Sequence, residues 1–133
     1  MRTRPGLMFA LLLCPAALLA EVHHTVPEQY LGRWGATLQA CTDPTRDPLA
    51  LSVEPLVLRF PADAARVQAA VSDGPLRVSL LLDSSDPAAS RDPGEFRREF
   101  LQFELSSDQK TLRTVSEGRT IASRVRCPLN TAA

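Results

Sequence analysis

The histidines of the chain, His23 and His24, are adjacent and lie near its start. No histidine follows them to serve as the base of a Ser or Cys triad. The sequence also contains no nucleophile elbow (G-x-S-x-G), zinc-protease motif (H-E-x-x-H), phosphate-binding loop (G-x-x-x-x-G-K-[ST]) or C-x-x-C pair. This inventory predicts a non-enzymatic protein without a cofactor.

Carboxylates are the remaining groups that could perform hydrolysis. Glu95 with Glu99, and Asp83 with Asp86, are spaced as pairs, and two carboxylates are what glycoside hydrolysis requires. Each pair also suits a solvated turn or strand face, which is the interpretation that we favour.

His23 becomes a metal ligand if the mature chain begins at Glu21. A histidine third from a free amine can bind Cu(II) or Ni(II) in a square plane, through the amine, the amide nitrogens of Val22 and His23, and the imidazole. We favour the simpler interpretation, in which residues 21–30 form a loose polar tail and His23 occupies the third place by chance.

Arginines concentrate in the C-terminal half of the chain. If the strands that carry them are neighbours, these arginines stripe one outer face and could bind an acidic partner or an anionic ligand. The alternative, which we favour, is a solvated face on which they pair with Glu95, Glu99, Glu104 and Glu117 across strands. The arginines are Arg97, Arg98, Arg113, Arg119, Arg124 and Arg126.

Residues 1–20 are predicted to be a secretory signal peptide. Arg2 and Arg4 precede an apolar run, residues 7–20, which is fourteen residues long and ends in small residues. A membrane-spanning helix needs about twenty residues. We therefore expect cleavage near Ala20, no stable membrane span, and a secreted or periplasmic protein.

Length and charge limit the function further. Removing the predicted signal peptide from the 133-residue chain leaves 113 residues, which suits one domain. Arg2 and Arg4 leave with it, so 13 basic residues face 15 acids, a net charge of −2. This balance argues against nucleic acid as a partner.

Cys41 and Cys127 are the cysteines that remain after Cys14 leaves with the signal peptide. An even pair in an oxidising compartment predicts a disulfide, and the alternative is two free thiols. Such a bridge would stabilise the chain by about 4.5 kcal/mol on a chain-entropy estimate. A lipoprotein acylated at Cys14 is disfavoured, because Leu13 stands where that signal has a small residue.

After the lead-in, short apolar strands alternate with turn residues. Predicted strands cover residues 33–41, 49–53, 56–60, 65–71, 76–82 and 96–105, a segment between turns at 105–112 and 117–118, and residues 121–127. Residues 42–48 and 83–94 are predicted loops. About eight antiparallel strands predict an all-β fold, a single small barrel. Its first and last strands meet, so the Cys41–Cys127 disulfide would close it.

The side-chain pattern assigns faces to several of these strands. Before the 72–75 turn, Ala65, Val67, Ala69 and Val71 share one face, and after it Leu76, Val78, Leu80 and Leu82 do, which predicts a hairpin. A helix over residues 62–70 is the alternative. Leu101, Phe103 and Leu105 are predicted to face inward. In the last strand, Ile121, Ser123, Val125 and Cys127 alternate with Ala122, Arg124 and Arg126.

The segment Tyr30-Leu31-Gly32-Arg33-Trp34 resembles the Gly-x-Trp opening of lipocalin-type barrels. In that family the tryptophan packs at the closed end under an arginine of the last strand. The resemblance implies structural roles for Gly32, Trp34, and Arg124 or Arg126. With its short length, early cysteine and closing Arg-Cys, the chain is more similar to small uncharacterised secreted or periplasmic bacterial barrels, whose architecture protease and lysozyme inhibitors share.

The sequence thus predicts three segments: a signal peptide (1–20), a polar lead-in (21–30) and a lipocalin-like β-barrel domain (31–133). The expected function is an exported binding module, an inhibitor or neutraliser of another exported protein that acts through loops such as 42–48 or 83–94. A small-ligand carrier of lipocalin type, and copper or nickel binding through His23, are the alternatives. The oligomeric state is open.

Overall fold

The computed structural model describes residues 20–84 and 97–129. The predicted signal peptide, Cys14 and most of the predicted 83–94 loop lie outside the described residues. Asp86 and Glu95 lie outside them too, so the two carboxylate pairs stay predictions.

Nine strands make up the described fold, together with three short 3-10 turns at Glu28–Tyr30, Ala40–Thr42 and Pro44–Arg46. The strands are β1 (Glu21–His23), β2 (Gly32–Gly35), β3 (Leu51–Val53), β4 (Val57–Arg59), β5 (Ala64–Ser72), β6 (Arg77–Ser84), β7 (Arg97–Leu105), β8 (Thr111–Ser116) and β9 (Arg119–Arg126).

Strands β2 to β9 form a closed, eight-stranded antiparallel barrel in which each strand pairs with the next along the chain. The barrel closes where β9 returns to β2, with Trp34 opposite Arg126 and Gly35 opposite Val125. Strand β1 is an extra strand that pairs with the end of β5. The predicted all-β barrel is confirmed, and the alternative helix over residues 62–70 is wrong, because β5 runs through that segment.

One end of the barrel, which we call the capped end, carries the 3-10 turn Glu28–Tyr30 and the turns at 54–56, 73–76 and 106–110. The opposite end carries the segment 36–50 and the turn at 117–118. In the turn at 117–118, Glu117 and Gly118 both have a positive φ, of 50° and 76°. A tight two-residue hairpin requires this conformation. The sequence predicted this turn correctly.

Large apolar side chains fill the barrel interior. The largest of them are at most 2 % exposed and belong to one continuous core: Trp34, Tyr30, Phe103, Leu58, Leu80, Leu82, Leu112 and Val78. Val78, Leu80 and Leu82 of β6 face the interior, as predicted. Phe103 and Leu105 of β7 also face the interior, as predicted. Interiors of this kind are close-packed, which leaves little room for a ligand.

A β-bulge in β5 changes the predicted faces of that strand. The register shifts between Val67 and Ala69, so Ala70 is fully buried instead of Ala69 or Val71. The extra residue in a bulge reverses the alternation beyond it. The predicted shared face of Ala65, Val67, Ala69 and Val71 is therefore correct only as far as Val67.

The predicted first strand over residues 33–41 is too long. Strand β2 ends at Gly35, and the chain then turns back along the outside of the barrel. The Asp47 carboxylate accepts a hydrogen bond from the Ala36 amide through Oδ2 (2.9 Å) and from the Leu49 amide through Oδ1 (2.8 Å), which fixes this segment. Leu38, predicted as an apolar strand position, is 62 % exposed.

Residues 21–30 are packed against the barrel. Val26 and Tyr30 belong to the core, and the Val26 amide donates to the carbonyl of Pro55 (2.9 Å). The lead-in therefore closes the capped end, and its interpretation as a loose tail is wrong. Within the described ranges, no helix has the length and apolar character to cross a membrane.

Candidate functional site

Cys41 and Cys127 form the predicted disulfide, with their Cα atoms 5.5 Å apart. Cys127 directly follows β9, whereas Cys41 lies in a 3-10 turn of the segment that folds back over β2. Gly35 lies beneath the bridge, where an added Cβ would stand 3.0 Å from the Cys41 sulfur and 3.2 Å from Asp47 Oδ2. A side chain at position 35 would press on both groups.

Arg126 and Trp34 pack together at the capped end. The Arg126 guanidinium carbon lies 4.2 Å from the Trp34 ring centroid. Its nitrogens donate to the carbonyls of Gln29 (2.7 Å), Leu31 (3.0 Å) and Gln109 (3.0 Å). Desolvation lowers the pKa of Arg126. Arg126 therefore joins the lead-in, β9 and the 106–110 turn.

Arg124 projects into the barrel and is 5 % exposed. Nε donates to the Leu49 carbonyl (2.6 Å) and Nη1 to the Thr114 hydroxyl (2.8 Å). Burial lowers the pKa of Arg124, and the nearby Asp47 charge opposes that shift. The inward residues of the last strand are thus the arginines, while Ile121 and Ser123 are exposed.

The predicted arginine stripe does not form among the residues described. Arg98 Nε lies 3.4 Å from Asp83 Oδ1 near the start of β7, whereas Arg113 binds Glu104 near the end of that strand. Arg119 is exposed at the start of β9. Arg97 is the first residue of β7, and its side chain lies outside the described part of the structure. Arg124 and Arg126, placed in the stripe by the sequence, point inward.

A surface that the sequence analysis did not single out lies on the outer side of β5, β6 and β7. Phe100, at the middle of β7, is 76 % exposed, and it stands opposite Leu81 of β6, which stands opposite Ala69 of β5. We call this surface the outer apolar face. Its members on these strands are Ala69, Val71, Leu81 and Phe100, and Val22 of the neighbouring β1 extends it beside Val71.

Ion pairs border the outer apolar face at both ends. The Asp83–Arg98 pair lies on the side of the opposite end. On the capped side, Glu104 binds Arg113 and lies 3.6 Å from Arg77. An exposed aromatic residue within a border of paired charges is typical of a protein-binding surface.

The signal for this face was present in the sequence. The alternation that places Leu101 and Phe103 inside also places Phe100 outside, and the alternation of β6 does the same for Leu81. Alternation does not predict the pairing register of β6 and β7, and this register places Leu81 opposite Phe100.

A cavity of about 390 Å³ opens between the 36–50 segment and the outer surface of β2, β3 and β4. We call it the side cavity. Phe60, Pro61, Ala50 and the disulfide contribute apolar walls, and Arg33, Arg59 and Asp47 are its charged lining residues. It lies outside the barrel interior.

His23 belongs to β1, opposite Ala70 of β5, and its Nε2 lies 3.7 Å from a carboxylate oxygen of Glu21. The backbone that the predicted copper site would use is therefore engaged in a strand pair. Within residues 20–84 and 97–129, no three His, Cys, Asp or Glu side chains converge as a metal site.

No protein-family model, curated protein or solved structure matches this chain.

Proposed function

We propose that this chain is a non-enzymatic exported binding module that recognises another exported protein through the outer apolar face. The observation that carries the proposal is Phe100, an aromatic side chain of β7 that is 76 % exposed and stands opposite Leu81 of β6. Exposing a large aromatic ring to water is unfavourable, and aromatic anchors on firm scaffolds are frequent hot spots of protein interfaces.

The neighbours of Phe100 support a protein partner. Leu81 and Ala69 extend the apolar surface across β6 and β5, while Asp83–Arg98 and Glu104 with its two arginines border it. The border carries both signs of charge, so a partner with the complementary arrangement would bind in one orientation. The face extends across three neighbouring strands, which suits a protein surface better than a small molecule.

The filled interior weighs against the alternative of a lipocalin-like carrier. Tyr30 and Phe103 stack across the barrel with ring centroids 6.4 Å apart, and Trp34 occupies the capped end. A small ligand would have to displace these rings, and core rearrangements of that size are costly.

Export is supported by the disulfide and by the predicted signal peptide. The Cys41–Cys127 bridge and the lack of a spanning helix in the described ranges are compatible with an exported protein. Inhibition is the narrower form of the proposal: it applies if the partner is an enzyme whose active site the face covers.

Site-specific crosslinking tests the proposal. A benzophenone amino acid at position 100 should give one dominant adduct with the exported proteins of the producing cell, and unlabelled wild-type protein should suppress it. The same photoprobe at Leu56, which is 48 % exposed in a turn at the capped end, is the matched control and should give no such adduct.

Competition by variants makes the test specific for the face. Phe100→Ser should lose competition at least about tenfold, whereas Phe100→Tyr should keep most of it, because the ring remains. Both variants should unfold within about 0.5 kcal/mol of wild type, since the side chain is exposed. Full competition by Phe100→Ser, or no adduct from position 100, would contradict the proposal.

A further inference from the structure

We infer that the side cavity is a binding site for a small amphipathic monoanion, a carboxylate attached to an apolar body about the size of one or two rings. This site is distinct from the outer apolar face and does not depend on the proposed protein partner. Its volume of about 390 Å³ lies in the lower range of small-molecule sites.

The walls of the side cavity suit an apolar body. Phe60 and Pro61 follow β4 on one side, Pro44 and Ala40 come from the folded-back segment on the other, and Ala50 lies at the entrance to β3. The disulfide closes one side with two further apolar atoms. Concave apolar walls with few polar groups are the usual form of a small-ligand site.

The acid of the cavity lining is already bound by its surroundings. Both carboxylate oxygens of Asp47 accept backbone amides, from Ala36 and Leu49, and the residue is 5 % exposed. Its charge also acts on the buried Arg124. Asp47 therefore holds the cavity wall in place, with both of its oxygens already accepting hydrogen bonds.

The cations of the lining give the cavity its selectivity. Arg59 binds Glu54 through Nε (2.5 Å), and among the described residues its hydrogen bond and ion pair to Glu54 both use Nε rather than a terminal nitrogen. A guanidinium with both terminal nitrogens available matches a carboxylate. Arg33, which donates to the Cys41 carbonyl (3.1 Å), adds a second positive charge at the same opening.

Binding of a dye pair tests this inference. Anilinonaphthalene sulfonate is the anionic probe, and N-phenyl-naphthylamine has the same ring system without the charge. The wild-type protein should bind the anion saturably at one site and at least about tenfold more tightly than the neutral dye. Naphthoate should displace the anion competitively.

Two variants locate the binding. Arg59→Met should abolish the preference for the anion and leave binding of the neutral dye unchanged. Ser52→Phe places a ring in the cavity from β3 and should weaken both dyes at least about tenfold. Unchanged thermal unfolding of Arg59→Met is expected because the side chain is exposed, which keeps the test valid if Ser52→Phe folds poorly.

Matched controls separate this site from the outer apolar face. Arg119→Met removes an exposed arginine elsewhere and should leave both affinities unchanged, as should Phe100→Ser. Equal binding of the two dyes, unchanged affinity in Ser52→Phe, or loss of binding in Phe100→Ser would overturn the inference.

Discussion

Arg124 and Arg126 lie two residues apart on β9, and each uses its charge inside the protein. Arg124 bonds to a backbone carbonyl and to Thr114, whereas Arg126 lies on the Trp34 ring and bonds to three carbonyls. A guanidinium has five donors in a fixed plane, so it can join several backbone segments at once. These arginines therefore hold the fold together and are not placed for an external anion.

Replacing Arg126 with lysine should destabilise the protein by about 1–3 kcal/mol, because one ammonium group cannot reach the carbonyls of Gln29, Leu31 and Gln109 together. Denaturant unfolding followed by the fluorescence of Trp34 measures the loss. Arg119→Lys, an exposed control on the same strand, should change stability by less than about 0.5 kcal/mol. Equal effects of the two substitutions would count against the structural role of Arg126.

Because of Tyr30, the free energy of unfolding should fall at alkaline pH. Burial raises its pKa to about 12, and its hydroxyl has no hydrogen-bond partner among the described residues. The pKa in the unfolded chain is about 10. Between these values only the unfolded state loses the proton, so the free energy of unfolding falls as pH rises, by at most about 1.4 kcal/mol per pH unit.

The measurement is direct because Tyr30 is the single tyrosine of the chain. Tyrosinate absorbance of the folded protein should rise well above pH 10. Tyr30→Phe should remove this part of the alkaline loss and cost little at neutral pH, since the hydroxyl it deletes is unpartnered. A tyrosinate transition near pH 10 in the folded protein would refute the assignment.

At the scale of the elements, alternation identified the hairpin β5–β6 and the inner face of β7, because each strand has one buried face with period two. The same rule failed at Ala70, where a bulge adds a residue to the period. It also failed at β2, since a pattern of apolar residues does not show that the chain turns back at Ala36.

The last strand shows a further limit of the pattern. Ile121 and Ser123 resemble an inner face, and Arg124 resembles an outer one, yet their positions are reversed. The reversal depends on tertiary partners, the Leu49 carbonyl and the Trp34 ring, which come from distant parts of the sequence. The side cavity escaped prediction for the same reason, because its walls come from segments that meet only after folding.

Strand β1 should compete with copper for the backbone of Val22 and His23. A square-planar site needs both amide nitrogens turned toward the metal, whereas β1 pairs with Ala70–Ser72 of β5. The protein beginning at Glu21 should therefore bind Cu(II) at least about tenfold more weakly than a free peptide of residues 21–26. Copper loading should also speed hydrogen exchange in the paired segment of β5.

Substitutions provide the controls for the copper experiment. His23→Ala should abolish the visible copper absorption band, and His24→Ala should preserve it. Equal affinity of protein and peptide, with slow exchange retained in β5, would show that the strand pair and the metal site coexist.

For the whole molecule, the disulfide reinforces the seam at which the barrel closes. Strands β2 and β9 share only two opposed residue pairs, whereas β6 and β7 pair along eight. The bridge joins residues 86 apart in sequence, so it constrains the segment of the unfolded chain that carries β3 to β9. Both effects favour the closed barrel, one by restricting the unfolded state and one by holding the short seam.

The double substitution Cys41→Ser with Cys127→Ser should lower the free energy of unfolding by about 3–5 kcal/mol. Local unfolding should also begin at the seam, so hydrogen exchange should increase first at Gly35 and Val125, where β2 pairs with β9. Strands β6 and β7 should stay protected, because the substitution leaves their long ladder of hydrogen bonds unchanged. Reduction of the wild-type protein should reproduce both effects. Uniform loss of protection across the barrel would show that the bridge acts on the unfolded chain alone and does not hold the seam.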